Sequence, residues 1–426
     1  MPRVTGVLLR VRESFWFLPA LFGVSAIVLA EALVALDRSL PPGVTDDLPF
    51  LGALSASGGR SLLSIIGSSM LTVAGTTFSI TISVLATTSS TYGPRLVRNF
   101  MADRSNQAVL AVFTSTFLYA VVVMRTVHTQ VDDSEAFVPV VAVHVAVLLA
   151  VLDVGVLVFF IHHIAASVQV TTLQARVVDD LRGAVAAAYR DGPGDGVTTV
   201  PVARSTGGDG APEVRAGSDG YVQAVDVDRL RRLAAGAGTR IDVVAMPGHH
   251  VIEGDVLARV VDASGPSGDG AGAGDGPDPD RVRAAFTLGD ARTPHQDVGF
   301  ALQQSVEIAV RSLASGSNDP YTGVSALDTS AGVLVPAWRS ARPVTALVDD
   351  DGRPRVTLDW PRVEDLVDAT FVVVRTYATE HPTVLDAALR LTRRLDDAAP
   401  ADRAGLLDAH VAALTEARGR LVAPRG

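Results

Sequence analysis

The sequence predicts a membrane protein of mixed class: an all-α N-terminal region with four spanning helices, then a cytoplasmic α+β domain with a small barrel-like β part and a helical C-terminal part. Three observations predict it. The hydrophobic share of 48 % and the mean hydropathy of +0.31 exceed what a water-soluble chain of 426 residues ordinarily carries. Four apolar stretches approach or exceed the ~20 residues that cross a hydrocarbon core, and all precede residue 170. Beyond them come short β-branched runs, Gly-rich acidic stretches and amphipathic helical patterns.

The spans are read at about 14–36, 62–86, 107–126 and 137–166. The first follows Arg3, Arg10 and Arg12. Its apolar run is longer than the ~7–15 residues of a signal-peptide core and no small-residue cleavage site follows, so it is read as an uncleaved anchor. Arg95, Arg98 and Arg104 lie between spans two and three, whereas Asp132, Asp133 and Glu135 lie between spans three and four. The positive-inside rule then puts both termini in the cytoplasm of a multi-pass protein of the cell membrane. A net charge of −10 without a basic footprint argues against a nucleic-acid partner. The chain has no Cys and no Lys, which excludes disulfides, thiol nucleophiles, a Walker lysine and lysine-borne carrier groups.

The organisation that follows is a transmembrane domain at 1–190, with its last helix running on into the cytoplasm, and a flexible linker at 191–218. A β-rich subdomain at 219–262, a disordered Gly-rich loop at 263–281 and an α+β domain at 282–426 complete it. Within the β-rich part a small helix is expected at Asp226 to Ala235. The segment "PGHHVIEGDVLARV" is similar to the turn and strand of biotinyl and lipoyl carrier modules, but no lysine exists to carry a group. The fold hint stands and the carrier function does not. His249 and His250 lack a third ligand nearby and read as turn residues, so no metal and no cofactor are expected. Further on, a helix is expected at Asp297 to Ala314, a hairpin turning at Asp351 and Gly352, and helices at about 363–379, 382–395 and 402–421.

The second span carries the most unusual pattern. Ser61, Ser64, Ser68, Thr72, Thr76, Ser79, Ser83 and Thr87 recur every three or four residues and form one polar line along a helix. The line is either a packing seam of small residues or the lining of a watery path shared by several copies. Other intramembrane ionisable groups are Glu31, Arg125 and His144, at similar depth near the outer side, and Asp153, well inside the fourth span. Glu31 and Arg125 suit an ion pair; Asp153 has no obvious basic partner. Its expected neighbours are Thr76, Ser79 and Ser83.

Two polar turns, "GDARTPHQD" and "ASGSNDPYTG", bracket the helix that begins at Asp297. Asp297 suits its cap, and "SNDP" reads as a stop. A helix of that length separates the turns by roughly 20 Å or more, which argues against a shared catalytic centre. No nucleophile elbow, phosphate loop or HExxH occurs, so no enzyme is expected.

Pro94 and Arg95 after the second span, Arg292, Thr293, Gln296 and Asp297, and Asn318, Asp319, Pro320 and Thr322 match the pattern of a bacterial family of predicted membrane proteins of unknown function. The chain resembles that family over nearly its whole length except the Gly-rich inserts. The resemblance implies four N-terminal spans and a soluble C-terminal domain, and it supplies no activity. The expected function is a homo-oligomeric ion channel or small-solute transporter with a cytoplasmic regulatory domain. In it the second span lines the path, Asp153 meets the permeant species, and the Pro94–Arg95 turn couples the two parts. The alternative is a non-transporting scaffold or sensor that binds a protein or small ligand through the cytoplasmic turns.

Overall fold

The computed structural model describes residues 16–39, 55–92, 104–128, 137–167, 169–192, 196–205, 210–262, 276–314 and 318–422. The Pro94–Arg95 turn and most of the Gly-rich loop lie outside the described residues. The chain divides into two compact units, Met1–Gln169 and Val170–Gly426.

Unit one holds four helices: α1 (Phe17–Ser39), α2 (Ala56–Tyr92), α3 (Arg104–Thr126) and α4 (Val140–Ser167). Each is long and apolar enough to cross a membrane. Their starts follow local chemistry. The Ser55 hydroxyl accepts the Gly58 N–H at 3.1 Å and caps α2. At the start of α4, the two Asp37 carboxylate oxygens accept the N–H groups of Val141 and Ala142, each at 3.0 Å. α1 approaches α3 so closely at Gly23 that a Cβ there would stand 2.9 Å from Leu118 Cδ1.

Two apolar clusters fill this bundle. One joins Ala26, Ala30 and Val34 of α1 to Leu63 and Ile66 of α2, Tyr119 and Val123 of α3, and Ala142 and Ala146 of α4. The other joins Ala74, Val109, Phe113, Phe160 and Ile164. Early residues of α3 thus meet late residues of α4, and the two run antiparallel.

Unit two begins with α5 (Val170–Ala188). Its strands form three sheets. The largest has the order β2 (Val197–Thr198), β10 (Ala346–Val348), β11 (Pro354–Thr357), β5 (Thr239–Val243), β7 (Val256–Asp262) and β3 (Glu213–Arg215). β11 and β5 pair in parallel, Val356 opposite Ile241. The second sheet is β6 (His250–Val251), β4 (Gly220–Val225) and β8 (Phe286–Gly289), and the third pairs β1 (Tyr189–Arg190) with β9 (Arg342–Pro343). No closed barrel forms among the described residues. The β-rich part is not self-contained either, because β10 and β11 arrive from beyond residue 340. β2 and β3 arise inside the stretch expected to be a flexible linker; Gly-rich, acidic composition hides two edge strands. That stretch is also pinned through Ser205, whose N–H donates to the buried Asp242 carboxylate at 2.8 Å.

The helices of this unit are α6 (Val227–Gly236), α7 (Pro279–Arg283), α8 (Val298–Ser312), α9 (Pro320–Ser340), α10 (Val363–Tyr377), α11 (Pro382–Ala398) and α12 (Asp408–Val422). α8 lies among α5, α9 and α10, while α9 packs on α11 and α11 on α12. One core cluster joins them, with Leu181, Leu302, Trp338, Phe371 and Leu385 buried in it. α9 was not expected: "SNDP" is a start here, with Asp319 as cap and Pro320 in the first turn.

Candidate functional site

Helix α2 packs through one side and turns its hydroxyl line to the other, with Thr77 and Thr81 also on the packed side and Ile65 exposed within the line. Leu63, Ile66, Gly67, Ala74, Thr77 and Thr81 are buried against the other helices of unit one. Ser61, Ser64, Ser68, Thr72, Thr76, Ser79, Ser83 and Thr87 are all exposed. At 100° per residue the centre of the hydroxyl line stands roughly 180° from the centre of the packed face. Leu62 and Ile80 flank the line on one edge, and Leu71, Phe78 and Ile82 on the other, all of them exposed. Among the described residues of unit one, the hydroxyl line is therefore not a seam with the other three helices.

The hydroxyls meet part of their bonding capacity inside the helix. Thr72 donates to the Ser68 carbonyl at 2.8 Å, Thr76 to Thr72 at 2.9 Å and Ser79 to Gly75 at 2.9 Å. Ser68 donates to Ile65 at 3.2 Å and Thr87 to Ser83 at 3.0 Å. Such back-bonds make a hydroxyl inexpensive in an apolar medium. A hydroxyl that donates in this way still has acceptor capacity to spare.

Asp153 takes the opposite position. It lies at the midpoint of α4 with 1 % of its surface exposed, inside the bundle. Thr76, Ser79 and Ser83 cannot be its neighbours, because they face away from the bundle. Beside it is the Thr116 hydroxyl of α3, itself buried, near enough to interact with the carboxyl but short of hydrogen-bond geometry with either oxygen. Helical spacing identified the hydroxyl face. It could not identify which side of α2 turns towards α4.

Glu31, Arg125 and His144 are satisfied. Arg125 Nη2 donates to Glu31 Oε1 at 2.6 Å with both side chains well exposed. His144 Nδ1 donates to the Val140 carbonyl at 2.8 Å.

In unit two the turn before α8 forms a clamp. Arg292 grips Asp297 through both guanidinium arms, Nε to Oδ2 at 2.7 Å and Nη2 to Oδ1 at 2.9 Å. Asp297 Oδ1 also accepts the Phe300 N–H at 2.9 Å, which caps α8, and Arg292 stacks on the Phe300 ring. Gln296 pairs with the Val225 backbone, accepting at 2.8 Å and donating at 3.3 Å, while Thr293 donates to the Gln223 carbonyl at 3.4 Å. Gly248, at φ +96°, passes so near that a Cβ would fall 2.3 Å from Asp297 Oδ2. The turn before α9 is also a cap. Asp319 accepts the Thr322 N–H at 3.2 Å and its hydroxyl at 2.6 Å, which holds the Asp319 carboxyl below the usual carboxylate range, and Asn318 takes the left-handed φ of +42°.

Gln174 of α5 reads that second turn, donating to the Thr322 carbonyl at 3.2 Å and accepting from Ser325 at 2.8 Å. A buried glutamine in an amphipathic helix was the signal in the sequence, and it was missed. His249 follows the Pro247–Gly248 turn and His250 opens β6, both exposed, and no group of three metal-ligating side chains occurs among the described residues.

The comparisons with known proteins agree with this architecture. The family described as "Predicted membrane protein (DUF2254)" matches residues 12–394, about nine-tenths of the chain. The chain belongs to that family. Within the DUF2254 family, its relatives include uncharacterised proteins of Mycobacterium bovis and of two strains of Mycobacterium tuberculosis. Each is 31 % identical over 387 residues, which covers 89 % of this chain and 71 % of the relative. No solved structure matches the chain.

Proposed function

We propose that this family member is a homo-oligomeric ion channel or small-solute transporter of the cell membrane, with both termini cytoplasmic and the second unit regulatory. The observation that supports this reading is the outward hydroxyl face of α2, opposite its packed face. A spanning helix with a continuous polar line gains by hiding that line from lipid. Copies meeting through α2 do so, and where the helices surround an axis the hydroxyls replace water along a path. The arginines at 95, 98 and 104, against Asp132, Asp133 and Glu135 in the next loop, favour the orientation. The polar turns of the second unit give the sensor reading little support, since Arg292, Gln296, Asp297 and Asp319 are engaged internally.

Ion flux into liposomes carrying the purified protein tests the reading, beside a Thr76→Val, Ser79→Val, Ser83→Val variant with the same melting temperature and insertion. Flux that falls severalfold in the variant supports the path. Equal flux through both removes the hydroxyls from it.

A further inference from the structure

Buried polar side chains are unevenly distributed through the helices of unit one. Towards the end where α3 ends and α4 begins, the Tyr119 hydroxyl donates to the Ala142 carbonyl at 2.8 Å and the Thr126 hydroxyl to Val123 at 2.7 Å. In the other half lie Asp153 and Thr116 near the helix midpoints, then Thr77 and Thr81 on the packed face of α2, and Asn106 and Gln107 where α3 begins. Among the described residues of unit one, the buried side-chain polar atoms without a hydrogen-bond partner number four, two on Asp153 and two on Asn106. Buried polar atoms of a native protein are nearly always paired, with protein or with water. Two such exceptions in the same half of one bundle point to a shared use.

The other carboxyls described in these helices are neutralised in place: Glu31 by Arg125, Asp37 by the N–H groups of α4. Asp153 has nothing equivalent. α1 turns Ala26, Ala30 and Val34 inward, α2 turns Thr77 and Thr81, and α3 turns Thr116 and Tyr119. No basic side chain is among them. The histidines flanking Asp153 on its own helix, His144 and His162, stand about 13 Å away along the axis. An ionised carboxylate buried without a partner costs far more than a neutral one. A metal cation would need several oxygen ligands, and the structure offers one carboxyl and one hydroxyl.

We infer that Asp153 is a proton-binding site inside each protomer, loaded from the end of the bundle where α3 begins, past Asn106, Thr81 and Thr77. Asn106 and Thr116 both lie on the buried side of α3, about 15 Å apart along the axis at 1.5 Å per residue. Val109, Phe113, Phe160 and Ile164 fill the space between, so the proton enters only when water transiently reaches past this apolar cluster. The site belongs to a single chain, and its test requires neither assembly nor ion passage. It can therefore fail or succeed independently of the hydroxyl path.

The experiment is infrared spectroscopy of the full-length protein in liposomes at neutral pH, with transfer into D2O. A protonated carboxyl shows a carbonyl stretch that a carboxylate lacks. The expected result is such a band in the wild type, missing in Asp153→Asn, displaced in Asp153→Glu, and shifting as deuterium replaces the proton. Asn106→Leu should keep the band and slow the exchange at least tenfold. A spectrum indifferent to both Asp153 variants overturns the site, and exchange unaltered by Asn106→Leu overturns the route.

Discussion

Replacing Asp297 by alanine tests whether the family's Arg-Thr and Gln-Asp motif is a clamp rather than a reactive centre. The substitution removes the cap of α8, worth about 1 kcal/mol. It also removes the two-armed bond to Arg292, in a class worth about 1.5–3 kcal/mol when sheltered. The Arg292 side chain is 32 % exposed and can rehydrate, so the second figure is discounted for solvent screening. The total is about 2–3 kcal/mol. For a unit of this size that lowers the melting temperature by roughly 4–12 °C. Asp297→Asn keeps the cap and loses the charge, so its loss should be near half as large. Gly248→Ala should destabilise strongly beside the native carboxylate and less when combined with Asp297→Ala, since the clash at 2.3 Å is with Asp297 Oδ2. Thermal melts of the purified full-length protein, read by tryptophan fluorescence, measure all three. A melting temperature unchanged within about 1 °C in Asp297→Ala would refute the clamp.

Arg403, 1 % exposed, donates to the Glu364 carboxylate and to the carbonyls of Ala337, Trp338 and Ala341 at the end of α9. Arg403→Met should therefore cost about 3–5 kcal/mol, the range for stripping one partner from a buried pair, and Arg403→Lys should recover little of it in denaturant titrations. Burial raises the Asp180 carboxyl above its ordinary range, helped by Asp179 and opposed by Arg176 and His295. A carboxyl raised on folding costs stability above its folded pKa, and the cost disappears below its unfolded pKa. Asp180→Asn should therefore melt higher than the wild type at pH 7 and equally near pH 3. Asp319 has the opposite sign: its bonds to Thr322 stabilise the fold above the usual carboxylate range and are lost as pH falls through its lowered value. Asp319→Ala should flatten the acid side of the stability profile, as thermal melts across that pH range would show.

The four spans were legible because a run of about 20 apolar residues has few other uses. The hydroxyl line was legible because its spacing matches the helix period. What it faces was not, since that depends on which side of α2 meets α3 and α4. Asp153 stood out as an ionisable residue at depth, but its neighbour Thr116 belongs to a face set by packing alone. Helix α9 was lost to an ambiguity of local chemistry: an Asp-Pro pair ends one helix as readily as it starts the next, and only the Asp319 bonds to Thr322 show which. The β-rich part was legible strand by strand in its middle. Its completion by β10 and β11, and its edges β2 and β3, come from pairings of high sequence separation that no local pattern encodes. The clamp at Asp297 was half visible, since the cap follows from the sequence and the approach of Gly248 does not.

The hydroxyl face of α2, in the function proposed above, is turned to water shared between copies of the chain. The absence of native cysteine permits single replacements at Ser68, Thr72, Thr76, Ser79 and Ser83, with Leu63, Ile66 and Ala74 as buried controls. Each variant is reconstituted in liposomes, treated with a membrane-impermeant charged thiol reagent and, separately, oxidised. The expected result is modification along the hydroxyl line and disulfide-linked dimers at one or more of its positions, with neither at the controls. Cysteines along the line that resist the aqueous reagent and form no dimers would place that face in lipid and contradict a shared watery path.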